Sequence, residues 1–272
     1  MPDVFEAQAR EHRQLFLDEA LHAARALGLP PAPTDVSAPR LEILHAALAL
    51  GGYPPAGPFP EPALPARLAL AHALRRGGAS HPPSRAYYDH LDACAEGIAH
   101  ELARSLPAAS RVLDAGCGTG AYGRAYTQAH PGALVEFLDT AEALAVALPA
   151  VAPPHLRHAA DLLAPHALPG PFDLILLANV VHLLPRDALP RLAQKLRAAL
   201  RPGGLLVVKD VDAGTEVGAL FNLSLLAFTP GDGMPVEAEL TRVLEAAGFE
   251  VSVQRGLSLS PSSLVWRAVA LR

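Results

Sequence analysis

From Arg111 onward, short apolar runs alternate with amphipathic helical stretches, and this alternation limits the fold more than any other feature of the 272-residue chain. Candidate strands fall at 111–114, 133–139, 156–160, 172–178, 204–210, 250–255 and 263–270, and candidate helices at 121–130, 140–148, 187–200 and 236–247. Strands that alternate with helices are joined by right-handed crossovers, which set them parallel in one sheet with helices on both faces. The last two runs are separated only by residues 256–262, too few for a crossover helix, so they are expected to form an antiparallel hairpin. The expected fold class is α/β: a seven-stranded, mostly parallel, doubly wound sheet with a reversed C-terminal β-hairpin.

The first part of the chain has a different texture. Helices are expected at 3–28, 40–50, 63–76 and 84–106, and ten of the 27 prolines crowd between Pro30 and Pro65. Each proline removes a backbone donor and disfavours helix in the residue before it, so the stretch YPPAGPFPEP cannot be regular helix. We therefore divide the chain into a helical N-terminal cap, 1–106, and an α/β domain, 107–272. The apolar segment 217–231 interrupts the alternation after the fifth strand; it reads as a packing helix or as one wall of a substrate pocket, with Phe221 as its candidate contact.

Composition excludes several functions. Apolar residues make up 51% of the chain, enough for a full core. Lys and Arg number 22 against 27 Asp and Glu, a net charge of −5, which argues against a bulk nucleic-acid binder. Two cysteines, Cys94 and Cys117, make no disulfide framework and fit a reducing compartment. No apolar run reaches the ~18 residues of a membrane helix, and the N-terminus lacks the apolar core of a signal peptide. The expectation is a soluble, cytoplasmic protein with neither membrane nor nucleic-acid partner.

The strongest local signal is VLDAGCGTG, residues 112–120, where an apolar strand runs into a glycine-rich turn and then a helix. Small residues let the backbone approach a ligand, and the N–H groups at a helix start face its anionic groups. Gly116, Gly118 and Ala121 also satisfy the dinucleotide pattern G-x-G-x-x-G/A. Three features separate the alternatives. Asp114, two residues before Gly116, would oppose a pyrophosphate but suits a ligand with cationic groups. Asp139 ends the second strand, as ribose recognition requires in either case. Asp161 ends the third strand and Arg201-Pro-Gly-Gly204 leads into the fifth, and a dinucleotide site demands neither.

With these residues in view, 85–270 resembles the class I S-adenosylmethionine-dependent methyltransferases. VLDAGCGTG is similar to their first motif, HPGALVEFLDT to the second, HAADLL to the third, and FDLILLANVVHLLP and LRAALRPGGLLVVKD to the fourth and fifth. The resemblance implies the Rossmann-like sheet with the reversed terminal hairpin. It also implies S-adenosyl-L-methionine as cofactor, held by Asp114, Gly116, Cys117, Gly118 and Gly120 in the loop, Asp139 and Thr140 at the ribose, Asp161 and Leu162 at the adenine, and Asn179 at the pocket mouth. Bacterial small-molecule O-methyltransferases look nearest, through Asn179-Val-Val-His182, the EAEL…LEAAGF helix and the PSSL entry to the last strand.

The cofactor's methyl is already an activated electrophile, so proximity and orientation can supply most of the catalysis. A phenol, with a pKa near ~10, still gains from a general base. His182 is the candidate base, although Leu183-Leu184 stand where relatives commonly carry an acidic-aromatic pair, and no supporting carboxylate is evident beside it. Tyr88, on the helix before the first motif, is a candidate substrate contact. His155, His158 and Asp161 have metal-ligand spacing, but Asp161 has another role and no metal site is expected. The function expected is methyl transfer to a small-molecule acceptor, a hydroxyl first, in a protein that forms a homodimer through its N-terminal region. The alternatives are a nitrogen, carbon or macromolecular acceptor, or a cofactor-binding scaffold without turnover.

Overall fold

A computed structural model describes residues 13–29, 33–53, 59, 62, 70–76, 84–148, 154–229 and 231–271. The parts of the expected helices at 3–12 and 63–69 lie outside the described residues.

The seven strands form one sheet in the order β3-β2-β1-β4-β5-β7-β6. They are β1 (Arg111–Ala115), β2 (Leu134–Asp139), β3 (Leu156–Ala159), β4 (Phe172–Ala178), β5 (Leu200–Val211), β6 (Phe249–Leu257) and β7 (Ser260–Ala270). The pairs β1–β2, β2–β3, β1–β4 and β4–β5 are parallel, whereas β7 runs antiparallel to both β5 and β6. The strand order reverses at β1, where the crossovers switch sides, and ligands of open α/β sheets bind beyond the carboxyl ends of strands at such a point. Strand β4 reads FDLILLA because it is central and covered on both faces. The hairpin turn is fixed from outside: the carboxylate of Glu101 accepts the N–H groups of Ser258 and Leu259 at 2.6 and 3.0 Å.

Helices α1 (Arg13–Ala26), α2 (Ala38–Leu50) and α3 (Leu70–Arg76) precede the long α4 (Arg85–Arg104). Then follow α5 (Ala121–Ala129), α6 (Ala141–Ala147), α7 (Leu189–Ala199), α8 (Glu216–Phe228) and α9 (Glu237–Ala246). Side chains set several of the boundaries. Hydroxyls of Ser84, Thr140 and Thr215 accept the N–H groups of Tyr87, Ala143 and Gly218, which caps α4, α6 and α8. The segment expected to be helical at 187–200 divides into a 3-10 turn, Arg186–Ala188, and α7. Strand β5 is longer than the 204–210 run, because Leu200 already pairs with Phe172 before the Arg201-Pro-Gly-Gly204 turn, and the ladder resumes at Leu205 after a register shift.

Three large apolar clusters form among the described residues. Leu189, Leu192, Leu240 and Leu244 fill one face of the sheet, beside the wholly buried Trp266. Ile98, Leu102 and Tyr126 fill the other. The third cluster joins Leu21, Leu44, Leu48 and Leu74 of the N-terminal helices to Leu223 and Leu226 of α8. Each such leucine stabilises the fold by ~2 kcal/mol through burial. The 217–231 segment is therefore largely the helix α8, and the N-terminal helices dock on it. Among the described residues no helix is long and apolar enough to cross a membrane.

Candidate active site

The turn after β1 holds three alternate glycines in the left-handed region: Gly116 at φ 66°, Gly118 at 51° and Gly120 at 76°. At Gly116 the side chain is excluded twice over, since a Cβ would also lie 2.6 Å from Val180. The N–H groups of Gly116 and Cys117 donate to the carbonyl of Leu138 at 2.7 and 3.0 Å, which ties the turn to the end of β2. The Gly118 N–H donates to Oδ2 of Asp139 at 2.8 Å, and the Thr140 N–H to its Oδ1 at 2.7 Å. Burial pushes the Asp139 carboxyl up, and these two N–H groups oppose it. Each oxygen accepts one of these N–H groups and has a further lone pair with which it can accept another hydrogen bond.

Asp114 lies behind the turn, only 2% exposed, and its Oδ2 accepts the Gly123 N–H of α5 at 2.8 Å. A Cβ on Gly123 would sit 2.8 Å from that oxygen, so the missing side chain makes room for the carboxylate. Burial pushes Asp114 up to about 7, reinforced by the charge of Asp139 and opposed by the Gly123 N–H and Arg124. Its contact is thus to the helix that follows the turn. Burial also drives the Cys117 thiol far up, with the charges of Asp114 and Asp139 adding to the effect, which leaves it unreactive. Tyr88 packs with Ala143 and Ala147 and faces Gly118, whose Cβ position is 3.8 Å from its ring. Burial, with the charge of Asp139 next, pushes its phenol up to about 12. Tyr88 therefore borders the glycine turn and the Asp139 side of the site.

Asp161 is exposed and closes its own turn, Oδ1 accepting the Leu163 N–H at 2.8 Å, while Leu162 is buried. The Lys195 ammonium donates to the carbonyls of Leu162 and Ala164 at 2.6 and 2.7 Å, fixing that loop against α7. His155 and His158 have structural partners: Nδ1 of His155 accepts the Val135 N–H at 3.2 Å, and Nε2 of His158 lies 2.6 Å from Glu136.

At the end of β4, Asn179 adopts φ 57°, a left-handed conformation uncommon outside glycine. Polar contacts hold it there. Its N–H donates to the carbonyl of Lys209 at 2.7 Å, the Lys209 ammonium donates to its Oδ1 at 2.8 Å, and its Nδ2 donates to the Tyr122 hydroxyl at 3.2 Å. Three residues on, His182 is buried in the 3-10 turn Val181–Leu183, with the Phe221 ring of α8 edge-on at 5.1 Å.

The carboxylate that the sequence did not reveal beside His182 is Asp210, at the end of β5. Its Oδ1 lies 2.7 Å from Nδ1 of His182, and its Oδ2 accepts the His182 N–H at 3.3 Å. Burial would raise the Asp210 carboxyl, but the His182 contact, Lys209 and the Val211 N–H together hold it below the usual carboxylate range. An ionised Asp210 places the shared proton on Nδ1, which leaves Nε2 as the basic atom of the ring. Lys209 was missed in the same way. Ala178 and Lys209 are partners in the β4–β5 register, so residues just after them share one rim. Strand register carries that information, and local sequence does not.

Residues 87–253 match the model of a methyltransferase domain family. The chain is 32% identical over 155 residues to demethylspheroidene O-methyltransferase of Rhodobacter capsulatus, a match covering 55% of this chain and 39% of that protein. It is also 32% identical over 151 residues to acetylserotonin O-methyltransferase of Mus musculus, covering 51% and 38%. The chain thus aligns with about two fifths of the length of these curated relatives. Among solved structures, an O-methyltransferase family 2 protein from Planctomyces limnophilus, in complex with apigenin, superposes with a TM-score of 0.73 at 20% identity, covering 98% of this chain and 95% of that one.

Proposed function

Because the chain belongs to the methyltransferase domain family, we propose that it is an S-adenosylmethionine-dependent enzyme that methylates a hydroxyl group of a small molecule, with His182 as general base. The observation that carries this is the His182–Asp210 pair, 2.7 Å apart at the strand ends beside the glycine turn. The named O-methyltransferase relatives support the hydroxyl as acceptor.

The residues present fit the cofactor: a turn of three side-chain-free positions, a diol-binding carboxylate at Asp139, and net acidity suited to a ligand with ammonium and sulfonium groups. When bound, S-adenosylmethionine supplies an activated methyl. In this assignment Gly116, Cys117, Gly118 and Gly120 give the backbone approach, with Asp114 holding α5 in place behind them. Asp139 and Thr140 take the ribose end, Asp161 and Leu162 the adenine, and Asn179 the pocket mouth. Tyr88 covers the turn and Phe221 walls the acceptor against His182. Nε2 of His182 takes the proton that the acceptor hydroxyl gives up as its oxygen becomes the nucleophile. Asp210 fixes the ring through Nδ1 and stabilises the imidazolium that forms. Residues 1–106 serve as the cap over the acceptor and as the interface of a homodimer, and the protein works in the cytoplasm.

Calorimetric titration with S-adenosylhomocysteine, with NAD as control, tests the cofactor. Micromolar binding of the first and none of the second is expected; tight NAD binding would overturn the assignment. In the same assay Asp139→Ala is expected to lose at least ~10-fold in affinity, since a charge-assisted pair of hydrogen bonds is removed, and to lose about 1–3 kcal/mol of stability, because the Gly118 and Thr140 N–H groups lose their acceptor.

A further inference from the structure

The segment 231–234 between α8 and α9 touches three parts of the molecule at once. Toward the N-terminal helices, Asp232 pairs with Arg40 of α2 at 3.2 Å, and Arg40 also donates to the carbonyl of Leu74 in α3 at 3.2 Å. Both charged side chains are largely buried, 13% and 26% exposed, so the pair is shielded from water and salt. Toward α8, the side-chain amide of Asn222 clasps the backbone of Met234, with Oδ1 accepting its N–H at 2.6 Å and Nδ2 donating to its carbonyl at 3.3 Å. Toward the His182 turn, the position of a Gly231 Cβ is 3.2 and 3.5 Å from the carbonyl oxygens of Leu183 and His182, so the strap lies directly on that backbone. Arg186, four residues past His182, donates to the same Met234 carbonyl at 3.0 Å.

Two glycines make this fit. Gly233 has φ 72°, and a Cβ there would lie 2.7 Å from Ile43 of α2 and 3.1 Å from Oδ1 of Asn222. The strap is thus wedged between α2, α8 and the base-bearing turn, with no side chain at Gly231 or Gly233 to cushion it, and tightly packed protein interiors transmit displacement rather than absorb it.

We propose that Arg40 is a positioning residue for His182. Through Asp232 and the 231–234 strap, α2 fixes the backbone of the turn on which the imidazole stands. The proposal rests on the assignment of His182 as the group that meets the acceptor. Its consequence is that the seating of the N-terminal helices sets the geometry of the base, so the base is in register only when the cap is seated.

Hydrogen exchange read by mass spectrometry on the full chain, with and without S-adenosylhomocysteine, tests it. The variants are Arg40→Gln, Asp232→Asn and Arg40→Lys. The amides of 181–184 are expected to exchange ~10-fold faster in the first two variants, and to keep most of their protection in the third. Core amides at 112–114 and 174–176 are expected to stay unchanged, which separates coupling from general loss of stability. If Arg40→Gln loosens those core amides too, Asp232→Asn decides, because it leaves the bond from Arg40 to Leu74 in place. Unchanged protection at 181–184 with an intact core would overturn the proposal. Failure to bind S-adenosylhomocysteine would instead sink the cofactor assignment, and the exchange measured without it would still decide the coupling.

Discussion

At the scale of single residues, two buried carboxylates at the same end of the sheet are pushed in opposite directions. Asp210 is held below the usual carboxylate range by its partners, which favours the ionised form that the proposed base role of His182 requires. Replacing it by Asn keeps the shape but no longer selects the Nδ1–H form of the ring. Asp210→Asn is expected to lower turnover on a hydroxyl acceptor by ~10²-fold, close to His182→Ala, with S-adenosylhomocysteine affinity unchanged by calorimetry. The double variant should be no worse than either single one, because the two act as a unit. Asp114 is raised to about 7 by burial, so ionising it costs folding energy. A raised acid contributes stability that is complete below its unfolded pKa of ~3.9 and is lost as pH climbs to the folded value. Asp114→Asn is expected to match the wild type in urea denaturation near pH 4 and to exceed it by a few kcal/mol at pH 8, since each tenfold change in proton affinity between the folded and unfolded chain is worth about 1.4 kcal/mol. A constant difference across that range would contradict burial as the cause.

At the scale of elements, the glycine turn makes a sharper prediction than its motif alone. Gly116→Ala meets both a left-handed backbone and Val180, so it should cost at least ~1 kcal/mol of stability as well as cofactor affinity. Gly118→Ala meets nothing nearer than Tyr88 at 3.8 Å and should leave the affinity lower still relative to the stability lost. Thermal melts beside titrations read the two effects apart. The turn, the strands and the terminal hairpin were legible in the sequence because each is local: alternation, glycine spacing and a short connection speak within a few residues. The helix Glu216–Phe228 was only half legible, because a segment this apolar has little amphipathic contrast to give its period away. Asp210 and Lys209 were not legible as partners of His182 and Asn179. They lie 28 and 30 residues away in the chain and meet them only through the β4–β5 register. Asp114 reads as a cofactor contact from its place before the turn, and what the sequence does not show is that its Oδ2 also accepts the Gly123 N–H of α5.

For the whole molecule, the two kinds of carboxylate together shape the pH profile. Glu136 is buried, yet Arg111 and His158, each at 2.6 Å, hold it below its ordinary value, as their counterparts do for Asp210. A depressed acid contributes stability present above its unfolded pKa and lost as pH falls through the folded one. Stability should therefore drop below about pH 4, where Glu136 and Asp210 take up protons, and decline again between about pH 4 and pH 7, where Asp114 is ionised in the unfolded chain but still protonated in the folded one. A maximum near pH 4 to 5 in urea denaturation is expected, and a maximum at or above pH 7 would mean that the Asp114 contribution is absent. The three apolar clusters carry a different consequence. The cluster of α1, α2, α3 and α8 shares no residue with the one behind the glycine turn. Volume-conserving substitutions among the leucines of the N-terminal helices thus repack a layer separate from the one behind the glycine turn. A lineage could exchange one acceptor for another by drift in that layer alone, and the strap glycines would be the toll it could not avoid keeping.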